Sequence, residues 1–172
     1  MLAKRKGSQL RHSTSKDKNF EGRTKPILSP DYIVGLVDGE GCFYVNIPES
    51  KRYQAGARVE LSLHVKMQAS DFRLLQAVKR TMGCGAVYFQ KEQRPNHSQC
   101  YRYTVASHHD ILKKIIPFFS RHQLQCPSKC KNFKLFKEIV IMVKNKEHLT
   151  EEGISKIRQL KKQMNQRTIG LA

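Results

Sequence analysis

The most constraining stretch of the chain lies at residues 58–68, where two kinds of side chain alternate without a break. Val59, Leu61, Leu63, Val65 and Met67 take every second position, and Arg58, Glu60, Ser62, His64, Lys66 and Gln68 take the positions between. A period of two puts the first set on one side of an extended strand and the second set on the other. Such a strand belongs in a sheet covered on one face and open on the other. The open face is polar throughout, with side chains that reach far from the backbone.

Other periodicities provide the cover. Ser29 suits a helix N-cap, Pro30 the first helical position and Asp31 the positive helix end. The spacing predicts a helix through Tyr32-Ile33-Val34-Gly35-Leu36-Val37-Asp38, ended by Gly39-Glu40-Gly41. A strand follows, in which Phe43, Val45 and Ile47 alternate with Tyr44 and Asn46 until Pro48. Beyond the long strand, a helix over 71–82 buries Leu74, Leu75, Val78 and Met82 and stops at Gly83-Cys84-Gly85. Strands over 86–91 and 100–106 are joined by a polar loop containing Pro95 and Asn96. Ser107 with Asp110 resembles a capping box opening a helix through Ile111, Leu112, Ile115 and Ile116. Pro117 is expected to bend or end it, with Phe118 and Phe119 anchoring the corner. A helix over 129–144 turns Phe133, Phe136, Val140 and Val143 inward. Thr150 caps a last helix striped by Ile154, Ile157, Leu160 and Met164. The order α-β-β-α-β-β-α, with extra C-terminal helices, describes an α+β domain with one antiparallel sheet and helices on one of its faces.

Charge identifies the class of partner. Thirty-two Lys and Arg against fourteen Asp and Glu give a net +18 over 172 residues. Residues 1–28 hold eight basic residues against Asp17 and Glu21, a net +6, and read as a basic tail. The body, 29–168 with a short end at 169–172, keeps the remaining +12. A charge of that size points to a polyanion. An open antiparallel sheet bearing Arg58, His64 and Lys66 meets the needs of a β-ribbon that enters a DNA major groove. A hydrophobic content of 39% supports a modest core and argues against full disorder.

Several classes drop out. No run of about 18 apolar residues is present, so no spanning helix and no membrane partner is expected. The N-terminus lacks an apolar h-region, so no secretory leader is expected. Five cysteines without a CxxC pair argue against a disulfide framework and for a reducing compartment. A zinc site from Cys126, Cys130, His122 and His97 has loose spacing, and buried or idle cysteines fit better. His108-His109 falls at a helix start, where capping or surface roles suit it.

The first helix holds the chemistry. Gly35 and Gly39 are four apart and share a face, although glycine inside a helix costs about 1 kcal/mol against alanine. That spacing admits close backbone approach, by a second copy of the helix or by the chain's own sheet. Glu40 follows at the C-terminal end, where the helix dipole is already negative. Divalent cations relieve that crowding and prefer carboxylate, carbonyl and phosphate oxygens. Read singly, Glu40 is also compatible with a solvated end, and Asp38 with a structural cap.

Ile33-Val34-Gly35-Leu36-Val37-Asp38-Gly39-Glu40-Gly41, followed by Cys42-Phe43, resembles the signature of the LAGLIDADG homing endonucleases. The element order, Gly83-Cys84-Gly85, Pro117-Phe118-Phe119 and the segment from Asn145 to Gly153 are similar to that family too, so the likeness runs from Ser29 to near Thr168. The resemblance implies a saddle-shaped sheet and a site-specific double-strand DNA endonuclease, often intron-encoded. One motif copy without an internal repeat is similar to the single-motif members, which act as homodimers on long, roughly palindromic sites. The implied dimer interface is Gly35, Leu36 and Gly39. The implied metal ligands are Glu40 and the Gly39 carbonyl, with Mg²⁺ or Mn²⁺ in use and Ca²⁺ binding without supporting cleavage. Catalytic roles fall on Glu40, Gln68, Arg73 and Lys129. The position where relatives often carry Gln is Ala69 here, so Gln68 beside it is the nearest substitute. DNA contacts are expected from Tyr44, Asn46, Arg58, Glu60, Ser62, His64, Lys66, Gln90, Lys91 and Arg102. The setting implied is an organelle or a bacterial cytoplasm. Other readings of the same fold are an RNA maturase acting on its host intron and a DNA-binding regulator without cleavage. A ribosome-associated structural protein fits the charge but not a Gly-spaced helix that ends in an acid.

Overall fold

The structure, a computed structural model, describes residues 28–94 and 97–164. The basic tail over 1–27, Pro95 and Asn96, and the chain end with its 169–172 segment lie outside the described residues. Leu28, expected in the tail, is part-buried against the core and donates its N–H to Thr81 Oγ1 at 3.0 Å.

Helix α1 covers Pro30–Glu40, and Ser29 caps it by accepting from the Tyr32 N–H. Strand β1 follows without a break at Gly41–Asn46, and β2 covers Glu60–Gln68. The second strand begins two residues later than the alternation suggests. Arg58 donates its N–H to the Pro48 carbonyl, and Glu49 bridges Ala57, so this end belongs to the connecting loop. A short 3₁₀ turn, Ala69–Asp71, leads into α2, Phe72–Met82. Gly83 closes α2 at φ 63°, a left-handed conformation that glycine adopts without a Cβ penalty. Strands β3, Ala86–Gln90, and β4, Cys100–Val105, complete an antiparallel sheet of order β1-β2-β4-β3.

The segment after β4 departs from expectation. Ser107 caps α3, His108–Asp110, by accepting from the Asp110 N–H. The chain then widens into a π-helical turn, Ile111–Ile115, and continues as α4, Ile116–Arg121, past Pro117. Pro117 neither ends the helix nor turns the corner. Proline has no N–H and crowds the carbonyl four residues back. The wide turn, in which the Ile116 N–H bonds to the Ile111 carbonyl five residues earlier, relieves that crowding.

Helix α5 covers Pro127–Lys144 and α6 covers Glu151–Gln163, capped by Thr150 on the Gly153 N–H. The helices lie on one side of the sheet. Phe43 points there from β1, and its ring centroid is 5.6, 5.3 and 5.4 Å from those of Phe119, Phe133 and Phe136. Leu63, Val65, Tyr103 and Val105 complete the sheet's inner face, all at 1% exposure or less. Among the described residues no helix is long and apolar enough to cross a membrane.

Candidate functional site

One end of the sheet forms a cleft. Glu40 is the last residue of α1, is exposed, and stands over a hollow of about 350 Å³. Lys66, Met67, Gln68, Asp71 and Cys100 line the rest. The geometry therefore brings Glu40 and Gln68 together, as the sequence suggests. It adds Asp71, a carboxylate the sequence disguises as an ordinary helix start. Asp71 occupies the N-cap position of α2 but makes no capping bond.

Lys129 also reaches this end. From the first turn of α5 its Nζ donates to the Gly41 carbonyl, directly after Glu40. Asp38 is structural. Its carboxylate accepts from the Gln125 N–H at 2.8 Å and the Cys126 N–H at 3.2 Å, fastening the end of α1 to the chain that enters α5. Arg73 is exposed in the first turn of α2, outside the residues that line the hollow.

The oxygen chemistry of this end suits a hard cation, because Glu40 is exposed beside helix-terminal carbonyls. Among the described residues no cluster of three His, Cys, Asp or Glu side chains could hold a metal alone. Any ion here would complete its shell with oxygens from outside the protomer. The zinc arrangement has no support among those residues. Cys126 Sγ pairs with Ser128 Oγ, and Cys130 Sγ donates to the Leu124 carbonyl.

The open sheet face is laid out by strand register. Asn46 stands opposite Glu60 and Tyr44 opposite Ser62. His64 lies between Cys42 and Thr104, and Lys66 is opposite Arg102, which in turn faces Tyr88. Gln90 closes the last row opposite Cys100, and Lys91 falls just beyond β3. Tyr88, 55% exposed beside Arg102, is a further surface residue on this face.

Several of these side chains are pre-arranged. Asn46 Nδ2 donates to Glu60 Oε2 at 3.0 Å, and Arg58 pairs with the other Glu60 oxygen. The Asn46 bond, with the Arg58 charge, holds the Glu60 carboxyl below its ordinary pKa. His64 is fixed from both ring nitrogens, by Ser62 Oγ at 2.8 Å and Thr104 Oγ1 at 3.0 Å. Burial, with the Arg102 charge adding to it, pushes its pKa down. Ser62 is only 7% exposed, so it braces His64 more than it faces outward. Glu92, from the loop after β3, lies 2.7 Å from Arg94 and 3.9 Å from Lys66. Hydrogen bonds from Arg94 hold its carboxyl down at about 2. At the other end of the sheet, Tyr53, His108 and His148 extend the surface around a hollow of about 570 Å³.

The outer face of α1 is bare. Gly35 and Gly39 are exposed, and a Cβ added at either would meet nothing within 4 Å. Close packing on the chain's own sheet therefore does not account for these glycines among the described residues. Leu36 beside them is part-buried.

A profile described as LAGLIDADG endonuclease matches residues 33–140, which include α1 from Ile33 onward and the whole sheet. A Neurospora crassa protein named "Probable intron-encoded endonuclease 2" is 32% identical over 131 residues, covering 76% of this chain and 26% of its own. "Probable intron-encoded DNA endonuclease 1" of Mycosarcoma maydis is 29% identical over 109 residues, covering 62% of this chain and 37% of its own. Among solved structures, the homing endonuclease I-TnaI superposes with a TM-score of 0.71 at 37% identity, covering 81% of this chain and 89% of that one. The I-SmaMI LAGLIDADG homing endonuclease bound to cleaved DNA superposes at 0.75 and 32% identity, covering 84% of this chain and 46% of that one. The chain thus spans about a quarter of the length of the first curated relatives it matches.

Proposed function

We infer, from the premise that this chain belongs to the LAGLIDADG endonuclease family, that it is a site-specific double-strand DNA endonuclease working as a homodimer. The observation that carries the reading is the exposed Glu40 at the end of α1, set over a cleft beside an open polar sheet. The relatives' names support an intron-encoded enzyme, and their fungal sources favour an organelle as its setting.

DNA lies along the open face. Arg58, His64, Lys66 and Arg102 address base edges or phosphates, with Tyr44, Asn46, Glu60, Gln90 and Lys91 around them. Two copies meet through Gly35, Leu36 and Gly39, a face on which Cβ atoms added at the glycines meet nothing within the protomer. That approach brings two Glu40 carboxylates near the scissile strands.

Enzymes of this family depend on divalent metals, and a solved structure of I-SmaMI has uncleaved DNA in the presence of calcium ions. In this chain Glu40 and the Gly39 carbonyl would hold the ion, with Mg²⁺ or Mn²⁺ supporting cleavage. When bound, the ion lowers the pKa of water and stabilises the leaving oxygen of the phosphodiester. Gln68 orients the attacking water in the place where Ala69 offers no polar group. Lys129, held at the Gly41 carbonyl, and Arg73 face developing charge on the scissile phosphate.

The test is a linear target carrying the joined sequences that flank the host intron, incubated with Mg²⁺ and with EDTA. Cutting is expected only with the metal. Glu40→Gln should abolish cutting and keep DNA affinity, and an active Glu40→Gln enzyme would remove that residue from the site.

A further inference from the structure

A face that binds DNA is helped by each cation and hindered by each acid beside them, yet the segment after β3 places a carboxylate between two cations. Glu92 Oε2 lies 2.7 Å from Arg94 Nη2 and 3.9 Å from Lys66 Nζ. Its Oε1 accepts from Arg94 Nε at 2.9 Å and from the Gln93 and Arg94 N–H groups at 3.1 and 3.2 Å. Lys66 belongs to the polar side of β2, opposite Arg102. The two side-chain bonds from Arg94 form a bidentate fork, the geometry with which a guanidinium also takes a phosphate.

Two other roles for this acid fit less well. Base reading needs a carboxylate with oxygens to offer, and here the side chain is only 13% exposed with both oxygens already taken. Nor does the loop need the charge. Gln99 clasps the Glu92 backbone from both sides, its Oε1 accepting from the N–H at 3.0 Å and its Nε2 donating to the carbonyl at 3.2 Å. The Gln93 and Arg94 N–H groups need only an oxygen, which a glutamine side chain would also supply. What is left is the charge itself, set against cations whose side chains are 42% and 65% exposed.

We propose that Glu92 is a built-in counter-anion of the DNA face: it holds the phosphate seat of Arg94, screens Lys66, and so limits binding to DNA of any sequence. Binding without sequence preference is driven by cations that meet phosphates and release salt ions from them. A cation already paired within the protein contributes less, because the phosphate must first displace the carboxylate. A pair whose cation is this exposed adds little to stability, so a firmly seated duplex can open it. A chain of net +18 would otherwise adhere broadly to polyanions. The inference rests on the open sheet as the DNA surface and is independent of cleavage, so its test uses neither metal nor target sequence.

Fluorescence anisotropy of the full chain in EDTA, with a random DNA duplex as probe, tests this at about 0.15 M salt, where charge effects reach about 8 Å. Glu92→Gln keeps the side-chain oxygen and should tighten duplex binding at least ~3-fold, the scale of one exposed ion pair. It should also steepen the slope of log affinity against log salt by roughly 0.9 for each cation released to a phosphate. Adding Arg94→Gln to Glu92→Gln should cancel most of the gain. Glu151→Gln, which removes the same charge from an exposed position on α6, should change affinity less than ~2-fold. Unchanged or weaker binding by Glu92→Gln, a gain that survives Arg94→Gln, or an equal gain from Glu151→Gln would each overturn the proposal. Arg102→Ala reports on the face separately and should weaken duplex binding. If it does not, the sheet is not the DNA surface, and the proposal falls with that reading; if it does while Glu92→Gln changes nothing, the proposal alone falls.

Discussion

At the scale of single residues, the cleft and the sheet differ in how their side chains are held. His64 is clamped between two hydroxyls and sits below its ordinary pKa of 6.5 because it is buried and near Arg102. His148 is lowered too, by burial and by the His108 charge. When the pH falls below about 6.5 the unfolded chain takes up protons at these positions before the folded chain does. Native stability should therefore decline from that pH downward, until the folded rings also titrate. His64→Gln should reduce the decline, seen as a smaller difference in urea midpoint between mildly alkaline and mildly acidic buffer. Asp38 offers a second test. Asp38→Ala removes the acceptor for two backbone N–H groups and should cost about 1–2 kcal/mol in urea unfolding, with Asp38→Asn costing less. The residue types of the site were legible in sequence where spacing carries them, as at Gly35, Gly39 and Glu40. Asp71 was not, because an acid at the start of a helix looks the same whether or not it caps. Nor could Lys129 be tied to Gly41, since that bond crosses 88 residues of chain.

At the scale of elements, the alternation from Val59 to Met67 survives folding almost intact, and so do the caps at Ser29, Ser107 and Thr150. These signals are local, set by strand pleat and by the few atoms around a helix end. The turn at Pro117 was illegible because it depends on Ile111, Ile115 and Phe119 being drawn into the core. Burial there outweighs the cost of proline inside a helix, and the backbone adjusts through one wide turn. Helix α1 makes the sharpest element-level prediction. Gly35→Ala meets no atom in the protomer and should raise the folding stability of an isolated protomer by about 1 kcal/mol through helix propensity. Gly35→Leu should abolish dimers while leaving that fold in place. Sedimentation at matched concentrations separates the two effects, and a dimer unchanged by Gly35→Leu would reject this face as the seam.

At the scale of the whole molecule, a net charge of +18 would make the proposed DNA affinity a function of salt. Each phosphate neutralised should add roughly 0.9 to the slope of log affinity against log salt. A titration of the target duplex from low to physiological salt should therefore be steep, and a flat response would contradict an interface dominated by phosphates. The charge was legible from composition alone. The ties at the end of α1 reach beyond their own positions. Asp38 grips the chain ahead of α5, and Lys129 reaches back from α5 to Gly41, so the acid and the amine of the cleft are braced together from both directions. In the proposed dimer, a push on α1 from the neighbouring copy would shift both groups in step, so that pairing two protomers and aligning the proposed cutting chemistry would be one mechanical event.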